Sequence, residues 1–453
     1  MLTNKILESS LLLFICFLRS GRADTAIVVE VSDDDESKDS VVVEDVPQYG
    51  YPTTPWLPYY FFSPMMQPQY SASGITSLSR NWGTVFVPFT SCTSPNKETG
   101  ICEESGACIR LGGRASGSCA NGRVCCINIV TNTCDETDRK VITVDNTYWQ
   151  SPTTGITSFV SSCGITVKLD AKLPEQGKAV CQVRLNFVLF TIAQPDAESV
   201  CITDTFDVAG ASNRVPTICG DNEGQHMYLN VPSSSTSPTD LQFSFNFGTN
   251  SNPVRAWNIL ISMIPCDSAN LAPMDCLQYF TGRTGTVKSF NWRDVTGTAT
   301  RQLANQDYSI CFRTAPGFAK TLCVTPCTVT STQKPFSLSL ARSVQPQVGQ
   351  RIDVSQFLST NCNNDFLVIP GAYNTGNPPI ETDMTFDRFC GERLNALPGK
   401  GVSTTVCTAT ATPFRLLYRT NSDETLTATI DTAGPNAVPI AGNRGFCLNF
   451  RNQ

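Results

Sequence analysis

Residues 177–229 read GKAVCQVRLNFVLFTIAQPDAESVCITDTFDVAGASNRVPTICGDNEGQHMYL. Cys181, Val183, Leu185, Phe187 and Leu189 alternate there with Gln182, Arg184 and Asn186. A period of two predicts a half-buried β-strand. The polar face turns apolar at Val188, Phe190 and Ile192, so the strand is expected to end under cover. Pro195-Asp196 breaks it. Then come Cys201-Ile-Thr-Asp204, a second short strand from Thr205 to Val208, and Cys219-Gly220.

The same grammar recurs downstream. Cys362-Asn-Asn-Asp365 is followed by Phe366-Leu-Val-Ile369 and then by Cys390-Gly391. Two copies of one unit are therefore expected. Gly317-Phe-Ala-Lys-Thr-Leu-Cys323 mirrors Gly177-Lys-Ala-Val-Cys181, and Trp257-Asn-Ile-Leu-Ile-Ser-Met-Ile264 and Gly445-Phe446-Cys447-Leu-Asn-Phe450 read as the closing apolar strands. The second copy carries the longer loops.

Length and composition set the frame for these units. The 453 residues suffice for two to four domains. Only 16% are charged, below the usual quarter, which suits a loop-rich all-β protein. A net charge of -6 offers no basic footprint for nucleic acid. Residues 1–23 read as a secretory signal: Lys5, the apolar run Leu11-Leu-Leu-Phe-Ile-Cys-Phe-Leu18, then Gly21-Arg22-Ala23. That run is far short of the ~20 residues a membrane span needs, and no other stretch is longer. Of 21 Cys, removal of Cys16 with the signal leaves an even number. With no Cys-x-x-Cys pair for a metal, the expectation is disulfides in an oxidising, extracellular compartment. No Asn-x-Ser/Thr sequon occurs.

Residues 24–84 have no core pattern. The acidic run Asp33-Asp-Asp-Glu-Ser-Lys-Asp39 precedes Tyr49-Gly-Tyr-Pro-Thr-Thr-Pro-Trp-Leu-Pro-Tyr-Tyr-Phe-Phe-Ser-Pro64. The prolines forbid a helix there, and a disordered arm is expected. It is read as a tether rather than as a sticky aromatic ligand.

Residues 85–130 hold a compact knot. Cys92, Cys102, Cys108, Cys119, Cys125 and Cys126 follow the spacing Cys-x9-Cys-x5-Cys-x10-Cys-x5-Cys-Cys. So short a segment cannot bury enough apolar surface to fold unaided, and cross-links must substitute for a core. The pattern resembles the clip domain of arthropod secreted proteases and protease homologues. That resemblance implies the pairs Cys92–Cys125, Cys102–Cys119 and Cys108–Cys126.

Residues 131–269 and 274–451, the two repeated units, resemble CUB domains, and in particular those of arthropod secreted proteins. The marks in the first copy are Cys134, Ser151-Pro152, Cys163, the apolar strand, Cys201-x-x-Asp204, Cys219-Gly220 and the closing strand. The implied fold is two tandem antiparallel β-sandwiches. The implied disulfides are Cys134–Cys163 and Cys201–Cys219, then Cys276–Cys311 and Cys362–Cys390. Cys181 and Cys266 are extra to the family pattern and are paired because both head or end core strands. Cys323–Cys447 follows by analogy, which leaves Cys327–Cys407. A Cys266–Cys276 loop across the linker is the rival.

Catalysis finds little support. A serine-protease triad needs a His base, and the chain has one His, His226 in Gly224-Gln-His-Met-Tyr228. No Gly-Asp-Ser-Gly segment exists, since Asn222 stands where the Ser would be in Gly220-Asp-Asn-Glu-Gly224. No phosphate-binding Gly loop and no His/Cys metal spacing occur. His226 is read as structural. The CUB resemblance implies one chemistry, a Ca²⁺ held at a sandwich end by a Glu and two Asp. Asp204, Asp365 and Asp423 are the positions that match. Gln194 stands near the expected Glu of the first copy, and residues 357–361 of the second lack one. Loss of those carboxylates removes most of the charge that Ca²⁺ requires, so no cofactor is expected.

The sequence thus predicts a secreted, non-enzymatic, disulfide-rich protein whose partners are other extracellular proteins. A catalytically empty regulator of a protease cascade and a structural component of matrix or cuticle are the rival classes.

Overall fold

The computed structural model describes residues 90–453 apart from 135–137, 139, 154, 157–159, 250–252, 296–300, 315–319, 331–333, 339–354, 358–361, 376–385, 398–399, 410–412 and 423–442. The expected signal, arm and first residues of the knot lie outside that range. The described chain is almost entirely β. The knot comprises β1 (Ser91–Thr93), β2 (Thr99–Glu103), the short helix α1 (Ser105–Arg110), β3 (Arg114–Ser118) and β4 (Val124–Thr131). The first sandwich contains β5 (Lys140–Ile142), β6 (Thr147–Gln150), β7 (Ser162–Leu169), β8 (Val180–Thr191), β9 (Asp204–Ala209), β10 (His226–Asn230), β11 (Thr239–Phe247) and β12 (Ala256–Pro265). The second runs through β13 (Cys276–Phe280), β14 (Thr284–Lys288), β15 (Asp307–Phe312), β16 (Leu322–Pro326), β17 (Phe336–Ser337), β18 (Ser355–Phe357), β19 (Phe366–Asn374), β20 (Phe386–Gly391), β21 (Val406–Thr408), β22 (Arg415–Arg419) and β23 (Gly445–Asn452).

The knot is joined to the first sandwich by a shared strand. The first half of β4 pairs with β2 and β3, and residues Asn128–Thr131 pair in parallel with β6. One sheet therefore runs β1-β2-β4-β6-β12-β8-β10. Its cystines are Cys92–Cys125, Cys102–Cys119 and Cys108–Cys126. Cys125 and Ile127 pack with Tyr148 and Leu260 of the sandwich, and the Tyr148 hydroxyl accepts the Thr99 amide at 2.9 Å. The segment leans on its neighbour for the apolar cover that its own length cannot supply.

Opposite this sheet lies a second of order β5-β7-β11-β9. Alternation on both sheets sends Val183, Leu185, Phe187, Phe206, Phe243, Phe245, Trp149 and Trp257 into the space between them. Phe245 stacks on Trp257 with centroids 4.2 Å apart, and Trp149 meets Trp257 edge-on at 5.5 Å. The Trp149 indole N–H donates to Asn132 Oδ1 at 3.0 Å, so burial leaves no orphan donor there.

The alternation in β8 does not hold to its end, as the sequence suggested it would. Asn258 pairs with Leu189 but Ile259 pairs with Phe187, which makes a β-bulge at Val188. The extra residue reverses the phase. Phe187 and Phe190 both point inward, while Val188 and Leu189 are 48% and 37% exposed. Leu189 therefore belongs to the outer face and Phe190 to the core.

The second sandwich is one curled sheet of order β13-β15-β22-β19-β21-β16-β23-β14, with β17, β18 and β20 attached. Cys276–Cys311 ties β13 to its parallel neighbour β15, and Cys362–Cys390 spans the motif loop. Here the expected pairing of Cys323, Cys327, Cys407 and Cys447 is corrected. The bonds are Cys323–Cys407 and Cys327–Cys447. Register explains the exchange. Cys323 lies directly opposite Cys407 across β16–β21, at a Cα separation of 4.0 Å. On β23 the residue facing Cys323 is Arg451, so Cys447 falls beside Cys327, whose amide donates to the Cys447 carbonyl.

Candidate interaction surface

The Asp of each Cys-x-x-Asp motif is buried at the end of its sandwich, and the two are satisfied differently. Asp204 opens β9. Its carboxylate takes Arg255 Nε at 2.9 Å and Nη2 at 2.8 Å, and the amides of Ala193 at 2.9 Å and Gly248 at 3.2 Å. The guanidinium also donates to the Gly248 carbonyl at 3.0 Å and lies over the Phe247 ring. The side chains of Arg255 and Asp204 are only 2% and 0% exposed. A fork–fork pair with every carboxylate lone-pair direction in use is the geometry in which burial of two charges is tolerated. The residues present do not fit a calcium ion: a guanidinium occupies the carboxylate, and Gln194 turns away to Asp221 and Asn291. Arg255 was not singled out in the sequence. Its signal there was a lone cation just ahead of an apolar strand.

Asp365, the equivalent residue, accepts the Asn421 amide at 2.8 Å and Gln302 Nε2 at 3.2 Å. Asp423, the third calcium position, lies outside the described residues. The sulfurs of Cys92, Cys102 and Cys119 lie within 4.8 Å of one another, but each is held in a disulfide and offers no thiolate to a metal. In the first sandwich Cys134–Cys163, Cys201–Cys219 and Cys181–Cys266 brace the ends of the sheets.

The two sandwiches meet through a polar seam that sequence reasoning did not foresee. At its centre Asn291 accepts the Asp221 amide at 2.9 Å and donates to Gln194 at 3.0 Å, while its own amide donates to Asn222 Oδ1 at 2.8 Å. Gly220 of the Cys-Gly step has a φ of +76°, and a Cβ there would lie 2.1 Å from Asn291 Oδ1. Only glycine admits both the left-handed backbone and the approach of the second sandwich. Gln182 forms a reciprocal pair with Ala272 of the linker, and Gln225 bonds Gln278 and the Ser289 carbonyl. All described residues accordingly fall within one compact unit.

His226 belongs to this seam. Its Nε2 accepts the Tyr279 amide at 3.1 Å, and its ring packs on Phe280 and Tyr228. Burial, aided by the charge of Arg184, pushes its pKa down to about 3. It is neutral at physiological pH and its acceptor nitrogen is taken by backbone, which is a structural role.

The outer face of the first sandwich is thereby walled on two sides. The knot covers β6 and β12, and the second sandwich covers β10. Between them lies a cleft of about 410 Å³ over β8, β10 and β12. Arg184, Tyr228 and Ser262 form its floor, Ser91 and Thr99 of the knot one wall, and Thr281 of the second sandwich the other. Arg184 lies over the Tyr228 ring at 5.3 Å. Asp145, at the edge, accepts the amides of Met263 and Asn146 at 2.7 Å each, and burial nevertheless raises its pKa to about 7.

The described residues form two β-sandwiches laced by disulfides. Residues 273–453 match the family model for the animal CUB domain. Among solved structures it is similar to the CUB1-EGF-CUB2 domains of rat MASP-1, at 15% identity over 69% of this chain and 99% of that one, with a TM-score of 0.21. It is likewise similar to the CUB1-EGF-CUB2 domain of human MASP-1/3, at 14% identity over 68% and 98%, with a TM-score of 0.20. No curated protein matches the chain. Among the described residues no helix is long and apolar enough to cross a membrane.

Proposed function

We propose that this chain is a secreted, non-enzymatic protein that mediates extracellular protein–protein interaction through a rigid unit of two CUB-like sandwiches and a clip-like knot. The observation that carries the reading is the animal CUB domain at residues 273–453, a module that is itself non-catalytic and generally serves such interactions. The abundance of cystines supports an oxidising compartment. The polar seam adds that the loops of both sandwiches are displayed at fixed separation, which lowers the ordering cost of binding a large partner. Affinity capture from the secreted fraction of the source tissue, with the intact protein as bait and mass spectrometry as readout, tests the proposal. Reproducible retention of secreted proteins is expected. Retention of none, or hydrolytic activity of the purified protein, would overturn it.

A further inference from the structure

The cleft between knot and second sandwich contains a cation, Arg184, that forms no salt bridge among the described residues. Arg184 sits in the middle of β8, on the outward face, opposite Tyr228 on β10 and Ser262 on β12. Its Nε is buried and has no hydrogen-bond partner. Among the described residues no carboxylate forms a salt bridge with it; its guanidinium lies over the ring of Tyr228, with which it also interacts through the hydroxyl. Arg255 of the same sandwich, by contrast, is closed on Asp204. A guanidinium that is partly desolvated and lacks an anion gains from a ligand that supplies one, because its fork matches a carboxylate with two parallel charge-assisted bonds.

We propose that this cleft binds an acidic side chain, Asp or Glu, carried on an extended segment of a partner protein. The walls carry one acid, Asp145, whose Oδ1 is turned to the amides of Met263 and Asn146, and are otherwise uncharged around Arg184. Hydroxyls of Ser91, Thr99, Ser262 and Thr281 offer hydrogen bonds to a peptide backbone beside the anchor. The volume of about 410 Å³ suits a side chain with its flanking residues rather than a folded domain. An arginine at the centre of a concave, walled patch is also where binding energy concentrates in protein interfaces. The site is composite, since its walls come from the knot and from the second sandwich, and it exists only because the seam holds the three parts together.

This inference deepens the interaction reading and rests on it. The test is selection of a random peptide library on the intact protein. Selected sequences are expected to carry Asp or Glu at one fixed position. Replacing that residue by its amide, or introducing Arg184→Gln, should weaken binding roughly tenfold or more. Arg184→Lys, which keeps the charge but loses the fork, should fall between. An unchanged melting temperature of the Arg184→Gln variant shows that any loss of binding comes from the site and not from the fold. No enrichment of acidic residues, or acidic peptides indifferent to both substitutions, would overturn the site. A captured natural partner whose retention ignores Arg184→Gln would leave the interaction reading standing and remove this site from it.

Discussion

The two sandwiches place an aspartate at the same step of the same motif and then treat it differently. In the first, Asp204 faces an internal guanidinium and is sealed from water. In the second, Asp365 is held by the Asn421 amide and the Gln302 side chain. The first end is thus a closed electrostatic clasp between β9, the β11–β12 loop and β12. The second is a corner in which a backbone amide and a side-chain amide donate to the carboxyl. A motif shared in sequence fixes where a carboxylate sits, but the residue that answers it comes from a distant strand.

The largest test of this contrast is removal of the internal cation. Arg255→Met should destabilise the protein by about 3–5 kcal/mol, because it leaves the Asp204 charge buried and unpaired. The double change Arg255→Met with Asp204→Leu should recover most of the loss, read from denaturant midpoints. If the single change proves no worse than the double, Asp204 is not the clasp described.

Next in size are the extra cystines. Replacing Cys181 and Cys266 with Ala should cost about 2–5 kcal/mol, and replacing Cys323 and Cys407 a similar amount. Non-reducing peptide mapping should recover a Cys323–Cys407 peptide and a Cys327–Cys447 peptide. A Cys323–Cys447 or Cys266–Cys276 peptide would break the register of the second sandwich or the boundary between the two.

The seam comes third. Gly220→Ala should cost about 1–3 kcal/mol through both the positive φ and the clash with Asn291. Calorimetry should also resolve a single wild-type transition into two, one per sandwich. Unaltered single-transition melting would show that the sandwiches are coupled elsewhere.

Smaller and more selective are the pH effects, which contrast two groups on the outer face. Asp145 titrates near 7 when folded and near 3.8 when not, so its contribution is greatest in acid and is lost as pH rises from about 4 to 7. His226 works oppositely. Its folded value of about 3 lies below the ordinary 6.5, so stability falls as pH drops through that interval. Each slope is about 1.4 kcal/mol per pH unit, and the two offset over their overlap. Asp145→Asn should therefore unmask stability that rises between pH 4 and 6.5, and His226→Gln stability that falls. Identical pH profiles for both variants would refute the assignment. Smallest of all, Asp365→Asn should cost about 1 kcal/mol, since an amide oxygen can accept the same bond. Millimolar Ca²⁺ should shift wild-type melting little. A large rise abolished by Asp365→Asn would reveal a metal site in the second sandwich.

Much of the fold was legible because its signals are local. Period-two runs such as residues 181–187 and 257–264 announce strands, and the repeated Cys-x-x-Asp and Cys-Gly steps announce two copies. The bulge at Val188 was not legible, since an apolar residue suits either phase until a partner strand sets the register. Asp204 could be picked out from its motif. Arg255, about fifty residues away, could not be matched to it, because nothing local distinguishes a buried clasp from a surface charge.

By itself, then, the sequence determined the all-β class, the repeat and the cystine-rich character, each of which depends on residue type and spacing along the chain. The tertiary structure alone decided which cysteines meet in the second sandwich, that the knot shares a strand with its neighbour, and that a seam of amides locks the sandwiches together. Those outcomes depend on the register between strands far apart in sequence. A one-residue shift in that register exchanges the two faces of a strand and, with them, every partner.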